Sequence, residues 1–160
     1  MPEPAAPRPA AAASAGYVLA FDVGKRTTGV AIGHPATGTA RALTTVAALA
    51  GGIDWGAMDA LIREWQPDAF VIGLPLDLDG GEQEMTRFAR TFAEQLDKRY
   101  NRPVHWVDER YTSQEASRRF AAQRAQGTAR RKHGASIDAL AAQIILETWL
   151  AAPGGATVNP

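Results

Sequence analysis

Three carboxylates stand where a folded chain could gather acids at one place. Asp22 closes the apolar run Tyr17-Val-Leu-Ala-Phe just before Gly24, Glu109 follows Pro103 to Val107, and Asp138 opens the last apolar pattern. Such oxygens suit hard divalent cations, which activate water and stabilise a leaving oxygen during in-line phosphodiester hydrolysis. Two Mg²⁺ or Mn²⁺ ions about 3.5 to 4 Å apart, with metal–oxygen bonds of about 2.1 Å, span about 8 Å between outer ligands. No protein nucleophile is needed. In this reading Asp22 bridges the metals, and Glu109 and Asp138 each hold one side.

Each acid also has a structural explanation. An Asp before a Gly turn makes local hydrogen bonds, Glu109 sits beside Arg110 and suits a surface ion pair, and Asp138 suits a helix N-terminus through the dipole. The apolar neighbours Ile137, Ala139 and Leu140 make an unpaired Asp138 costly to desolvate, which a cation would relieve. Convergence of all three is what favours chemistry.

The elements around the acids decide whether they converge. The 160 residues, 46% hydrophobic and 21% charged, are enough for one domain with a core of its own. Residues 1 to 16 are Ala/Pro-rich and predict a disordered leader, 17 to 150 a single domain, and 151 to 160 a flexible tail. No cysteine is present. This excludes disulfides, thiolate catalysis and cysteine-ligated metal centres, and fits a cytoplasmic protein. No apolar run is long enough to span a bilayer, and the leader lacks the pattern of a secretory signal.

Tyr17–Asp22, Thr27–Gly33 and a weaker Gly38–Val46 read as strands with connections too short for parallel returns, so they form an antiparallel meander. Trp55, Met58, Leu61, Ile62 and Trp65 recur at helical spacing before Pro67. Ala69–Leu74 is a buried strand, and a helix over about 82 to 99 places Met85, Phe88, Ala89, Phe92 and Leu96 on one face. Pro103–Val107 is a fifth strand. Thr112 and Glu115 form a capping box for a helix to about Gly127, and a last helix begins near Ser136, with Ile137, Leu140, Ala141, Ile144 and Leu150 mainly facing the core. The order βββαβαβαα, with right-handed crossovers, is that of an α/β ribonuclease H-like fold with a five-stranded mixed sheet in order 3-2-1-4-5, flanked by helices. Strands one and five then lie about 9 to 10 Å apart with strand four between them, and their carboxyl ends share the edge where ligands collect.

These residues resemble a known family. Phe21-Asp-Val-Gly-Lys-Arg-Thr-Thr-Gly-Val-Ala-Ile-Gly33 is similar to the first motif of the YqgF family of Holliday-junction-resolvase-like proteins. Gly73-Leu-Pro-Leu-Asp-Leu-Asp-Gly80 resembles its second motif, Asp108-Glu-Arg-Tyr-Thr112 its third and Ser136-Ile-Asp-Ala-Leu-Ala-Ala142 its last. The resemblance covers about 17 to 150. It implies a metal-dependent nuclease that trims the 5′ end of pre-16S rRNA in ribosome biogenesis, with Asp22, Glu109 and Asp138 as its acidic triad. Asp77 departs from the family loop, where Asn is expected, and adds a carboxylate that would alter metal or phosphate contacts there.

Seventeen Lys and Arg balance seventeen Asp and Glu, so any attraction to polyanions must come from charge placement. Between Glu115 and Asp138 there is no acid, whereas Arg118, Arg119, Arg124, Arg130, Arg131 and Lys132 lie there, leaving eleven bases against seventeen acids elsewhere. Such a segment suits one face meeting phosphates, or a merely solvated helix and loop. Lys25, Arg26 and Arg110 flank the acids and suit the scissile strand, with Arg118, Arg131 and Lys132 further along it. His34, His105 and His133 lack metal-ligand spacing. Three functions stay open: the rRNA nuclease, a Holliday-junction-resolving DNA endonuclease acting as a homodimer, and a non-catalytic RNA- or ribosome-binding module.

Overall fold

The computed structural model describes residues 16–152 apart from 51, 78, 111–117, 120 and 123–135. The expected leader up to residue 15, most of the basic segment and the tail from 153 lie outside the described residues, and of the capping-box helix only positions 118, 119, 121 and 122 are described, all helical.

Nine elements have both ends among the described residues: β1 (Val18–Asp22), β2 (Thr27–His34), β3 (Thr39–Leu49), β4 (Gly52–Ile53), α1 (Trp55–Trp65), β5 (Ala69–Leu74), α2 (Glu84–Tyr100), β6 (Val104–Asp108) and α3 (Ile137–Ala151). The sheet runs β4-β3-β2-β1-β5-β6. β1, β2 and β3 are antiparallel neighbours, whereas β5 lies parallel to both β1 and β6. The expected order is therefore present with one addition. The two-residue β4 pairs with the end of β3 and makes six strands instead of five, and β3 itself runs on to Leu49.

Alternation along the strands divides the core into two layers. Leu19, Phe21, Phe70 and Ile72 face α1 and α2, meeting Met58, Ile62, Phe92 and Leu96. Val18, Ala20, Val71 and Val107 face the other way, onto Ala142, Ile145 and Leu146 of α3. β5 is covered on both sides and every residue of it is buried, as a continuous apolar run between crossover helices requires. Each large side chain so buried contributes about 1.5 to 3 kcal/mol.

Two helix faces differ from the sequence expectation. In α2 the buried residues are Thr86, Ala89, Phe92, Ala93 and Leu96, and Phe88 is 45% exposed. In α3 Ile137 is 42% exposed, while Ala139, Ala142, Ile145 and Leu146 join Leu140 and Ile144 inside. A Thr86 hydroxyl bonded to the Pro75 carbonyl and to the Gln83 N–H explains the first difference. With its polar group satisfied Thr86 can be buried, and the helix turns its stripe toward it.

Candidate active site

β1 delivers Asp22 to the carboxyl edge of the sheet, and β6 delivers Glu109 to the same edge one residue after its last strand position. The Glu109 N–H donates to the Leu74 carbonyl at 3.0 Å, prolonging the β5–β6 ladder past Asp108. From there the Glu109 side chain folds back over Gly73. A Cβ on Gly73 would stand 2.7 Å from Glu109 Cγ and 2.8 Å from its Cδ. Because β5 lies between β1 and β6, this brings the Glu109 carboxyl to Asp22, and the two share a hydrogen bond.

A second glycine seats the third acid. Gly29 on β2 is the register partner of Asp22, and a Cβ there would lie 2.0 Å from the Asp138 carbonyl oxygen. The first turn of α3 thus rests directly on the backbone of β2. Ser136 caps that turn by accepting from the Ala139 N–H at 3.1 Å. The Asp138 carboxylate accepts from Thr27 Oγ1 at 2.9 Å and its charge acts on Asp22. Asp22 and Glu109 are therefore in direct contact at one edge, with Asp138 close enough for its charge to act on Asp22.

Crowding sets their protonation. Burial pushes Asp22 up to about 6; the hydrogen bond from Glu109 works against this, and the charge of Asp138 adds to it. Glu109 is raised well above the ordinary carboxylate range, first by burial and then by the charge and hydrogen bond of Asp22, with Asp108 adding more. One proton shared between two half-buried carboxyl groups is the expected outcome when like charges meet in a poorly solvated place.

Arg110, which the structural alternative for Glu109 offered as an ion-pair partner, pairs with Asp108. Arg110 closes on Asp108 through its backbone N–H at 2.9 Å and its Nε at 2.8 and 3.0 Å, with Nη2 also in contact. These bonds outweigh burial and hold the Asp108 carboxyl below its usual range. The sequence reading overlooked Asp108 as the anchor of this arginine, although a carboxylate two residues before an Arg at a strand end was visible. Arg110 Nη1 also lies 3.4 Å from where a Gly80 Cβ would be, so the guanidinium reaches the loop after β5.

The other predicted phosphate ligands are spread around the edge. Lys25 pairs with Glu84 at 2.8 Å, both side chains largely in solvent. Arg26 is exposed in the turn between β1 and β2, and Arg118 is exposed as well. Arg119 pairs with Glu147 of α3 at 2.6 Å. Arg131 and Lys132 lie outside the described residues. Asp77, the departure in the second motif, is exposed and accepts from Gln83 Nε2 at 3.3 Å within its own loop. His105 is packed against Trp149 with ring centroids 4.9 Å apart, and burial lowers its pKa.

Comparison with known proteins identifies the family. Residues 16–152 match the family model RuvX, described as Holliday junction resolvase. The chain belongs to this family. A protein of Xanthomonas axonopodis pv. citri named "Putative pre-16S rRNA nuclease" is 46% identical over 160 residues, covering the whole of both chains. One of the same name from Xanthomonas oryzae pv. oryzae is 48% identical over 145 residues, 91% of this chain and 94% of that one. Among solved structures, Thermus thermophilus RuvC in complex with Holliday junction substrate matches with a TM-score of 0.53 at 14% identity, covering 84% of this chain and 93% of that one. That likeness shows the shared ribonuclease H-like fold. As a member of the RuvX family the chain is a nuclease, an enzyme that hydrolyses phosphodiester bonds. Among the described residues no helix is long and apolar enough to cross a membrane.

The donor set fits a hard divalent cation. Two carboxyl groups are held in contact at the edge and must take up a proton to remain there, and carboxylate oxygens are what Mg²⁺ and Mn²⁺ select. Among the described residues no three acidic or histidine side chains are already gathered as a cage. Asp138, turned to Thr27, is the member that stands apart.

Proposed function

We propose that the chain is a metal-dependent nuclease that processes the 5′ end of pre-16S rRNA, with Asp22, Glu109 and Asp138 as its metal-holding acids. The observation that carries this reading is the Asp22–Glu109 contact at the carboxyl edge of the sheet, with Asp138 beside it. Relatives 46 and 48% identical that carry the pre-16S rRNA name support the choice of substrate.

Mg²⁺ or Mn²⁺, as two ions in the family pattern, would supply Lewis acidity to the phosphate and the leaving oxygen. The chain's own part is to place oxygens. Asp22, at the centre of the sheet edge, faces both other acids; Glu109 is held down by the Leu74 carbonyl and the bare Gly73; Asp138 is steadied by Thr27. Loss of the shared proton frees the pair to bind a cation. Lys25, Arg26 and Arg110 flank the acids at the rim and hold the phosphates on either side of the scissile bond, while Arg118, Arg131 and Lys132 extend the contact along the strand.

The test is incubation of purified protein with labelled precursor rRNA fragments, with Mn²⁺, Mg²⁺ or EDTA, beside the Asp22→Asn protein. Cleavage that needs metal and falls at least 100-fold in Asp22→Asn is expected. Undiminished cleavage by the pure variant defeats the assignment.

A second reading is favoured by the description of the matched family and by the junction-bound neighbour. In it the substrate is a four-way DNA junction, which needs two active sites and so a symmetric dimer. A strict monomer in sedimentation, with no paired nicking of junctions, speaks against it.

A further inference from the structure

A groove of about 460 Å³ opens between the turn that follows β1 and the exposed side of α2. Val23 and Gly24 form its near wall, one and two residues beyond Asp22, and Ile53 of the edge strand β4 closes the far side. Phe88 and Phe92 supply aromatic surface from α2. Phe92 belongs to the core at 4% exposure, whereas Phe88 is 45% exposed. Tyr17, Leu49, Phe88 and Ile137 are the exposed large hydrophobic residues among those described, and Phe88 is the one that lines this groove. The groove therefore joins the turn just after Asp22 to an exposed aromatic ring that the core does not use.

We propose that this groove holds one unpaired nucleobase of the substrate strand, adjacent to the phosphate at the acids, stacked on Phe88. The inference rests on the nuclease reading for its substrate class. Every base offers a π-face, so an exposed aromatic ring takes a base without demanding a sequence. Thr91 and Gln95 stand three and seven residues after Phe88 on the same side of α2, and both line the groove with hydrogen-bonding groups for a base edge. Arg87 lies next to Phe88, is exposed and lines the groove; Glu84, which also lines it, is paired with Lys25 at 2.8 Å, so Arg87 is the cation the mouth offers to a flanking phosphate. A fully paired duplex cannot lay one base on Phe88 without unstacking it. The enzyme consequently prefers substrates with a single-stranded flank.

Binding is measured by fluorescence anisotropy in EDTA with the Asp22→Asn protein and with Asp22→Asn carrying Phe88→Ala or Phe88→Trp. The probes are a single-stranded RNA 12-mer, the DNA of the same sequence, both with an abasic site moved along the strand, and a blunt duplex. Phe88→Ala is expected to weaken single-strand binding about 5- to 150-fold, the range of one base–aromatic stack, to leave duplex binding unchanged, and to leave the melting temperature in place. Phe88→Trp retains affinity. Abasic substitution at one position weakens binding by the protein that keeps Phe88 and not by Phe88→Ala, the non-additivity expected of a direct contact. Equal binding with and without Phe88→Ala, equal losses at every abasic position, or no binding of any strand overturns the groove. Wild-type cleavage assayed in parallel separates the two claims: Phe88-dependent binding without hydrolysis sinks the nuclease reading alone, and metal-dependent cleavage indifferent to Phe88 sinks the groove alone.

Discussion

The Glu109 side chain lies across the bare Cα of Gly73, with 2.7 Å between Glu109 Cγ and the place a Cβ would occupy. The middle strand of the site thus contributes an absence of side chain, and through that gap a residue of β6 reaches an acid of β1. Ile145 of α3 presses on the same spot at 2.6 Å. Gly73→Ala is expected to displace the carboxyl group from Asp22, lowering cleavage at least tenfold, and to cost about 1 to 3 kcal/mol of stability by overpacking. Steady-state rates and thermal melts check both, and an alanine protein with full activity argues that Glu109 is not needed where it stands.

Gly29 poses a harder case, because backbone and not a side-chain tip would oppose its Cβ. The Asp138 carbonyl oxygen would be 2.0 Å away and its carbonyl carbon 2.3 Å. Gly29→Ala must lift the first turn of α3 off β2, so a larger stability loss than for Gly73→Ala is expected, together with activity lost through Asp138. A melt of Gly29→Ala equal to wild type would show that this turn sits loosely.

Thr27 is the lightest of the supports. Its hydroxyl donates to Asp138 at 2.9 Å, and Thr27→Val keeps the shape while removing the donor. A stability change of about 1 kcal/mol or less is expected, with a weaker apparent affinity for Mn²⁺ as the main effect, read from the metal dependence of the cleavage rate. Thr27→Ser should behave as wild type.

Much of this was legible in the residues. β1, β5 and β6 are apolar runs bounded by Asp or Pro, and their connection lengths dictate which neighbours are parallel, so the edge shared by Asp22 and Glu109 followed directly. β4 did not show, since two residues paired with the end of β3 carry no periodic signal. The phase of α2 was misread because Thr86 counts as polar until the Pro75 carbonyl and the Gln83 N–H satisfy it, and that rotation is what leaves Phe88 outside. Gly29 and Gly73 held an unused clue: a glycine inside a strand often marks close approach of another backbone or side chain. Asp108 as the anchor of Arg110 went unread, because alternation along β6 settles which side chain points to the guanidinium only once the strand's end is known.

The proton shared by Asp22 and Glu109 makes stability depend on pH in a direction opposite to the usual carboxylate. Both groups have folded-state pKa values above their unfolded ones, Asp22 at about 6 and Glu109 also well raised, chiefly through burial. Their protonated forms favour the folded chain. This contribution is complete below about pH 4 and is lost as pH climbs through 6 and beyond. Asp22 alone accounts for about 2 kcal/mol between pH 4 and 8, a fall of roughly 4 to 8 °C in a domain of this size. His105 works against the trend, since burial lowers its pKa and its neutral form gains as pH rises. Asp108, held down by Arg110, acts mainly at lower pH. The informative quantity is therefore the melting temperature of wild type minus that of Asp22→Asn, in EDTA, from pH 5 to 8. That difference should fall as pH rises, with the Asp22→Asn protein the more stable at pH 8. Mn²⁺ should restore the wild type at pH 8, because a cation binding the ionised pair replaces the lost proton. A difference that stays flat across this range, with no gain from Mn²⁺, would mean that the two carboxyl groups do not meet in solution.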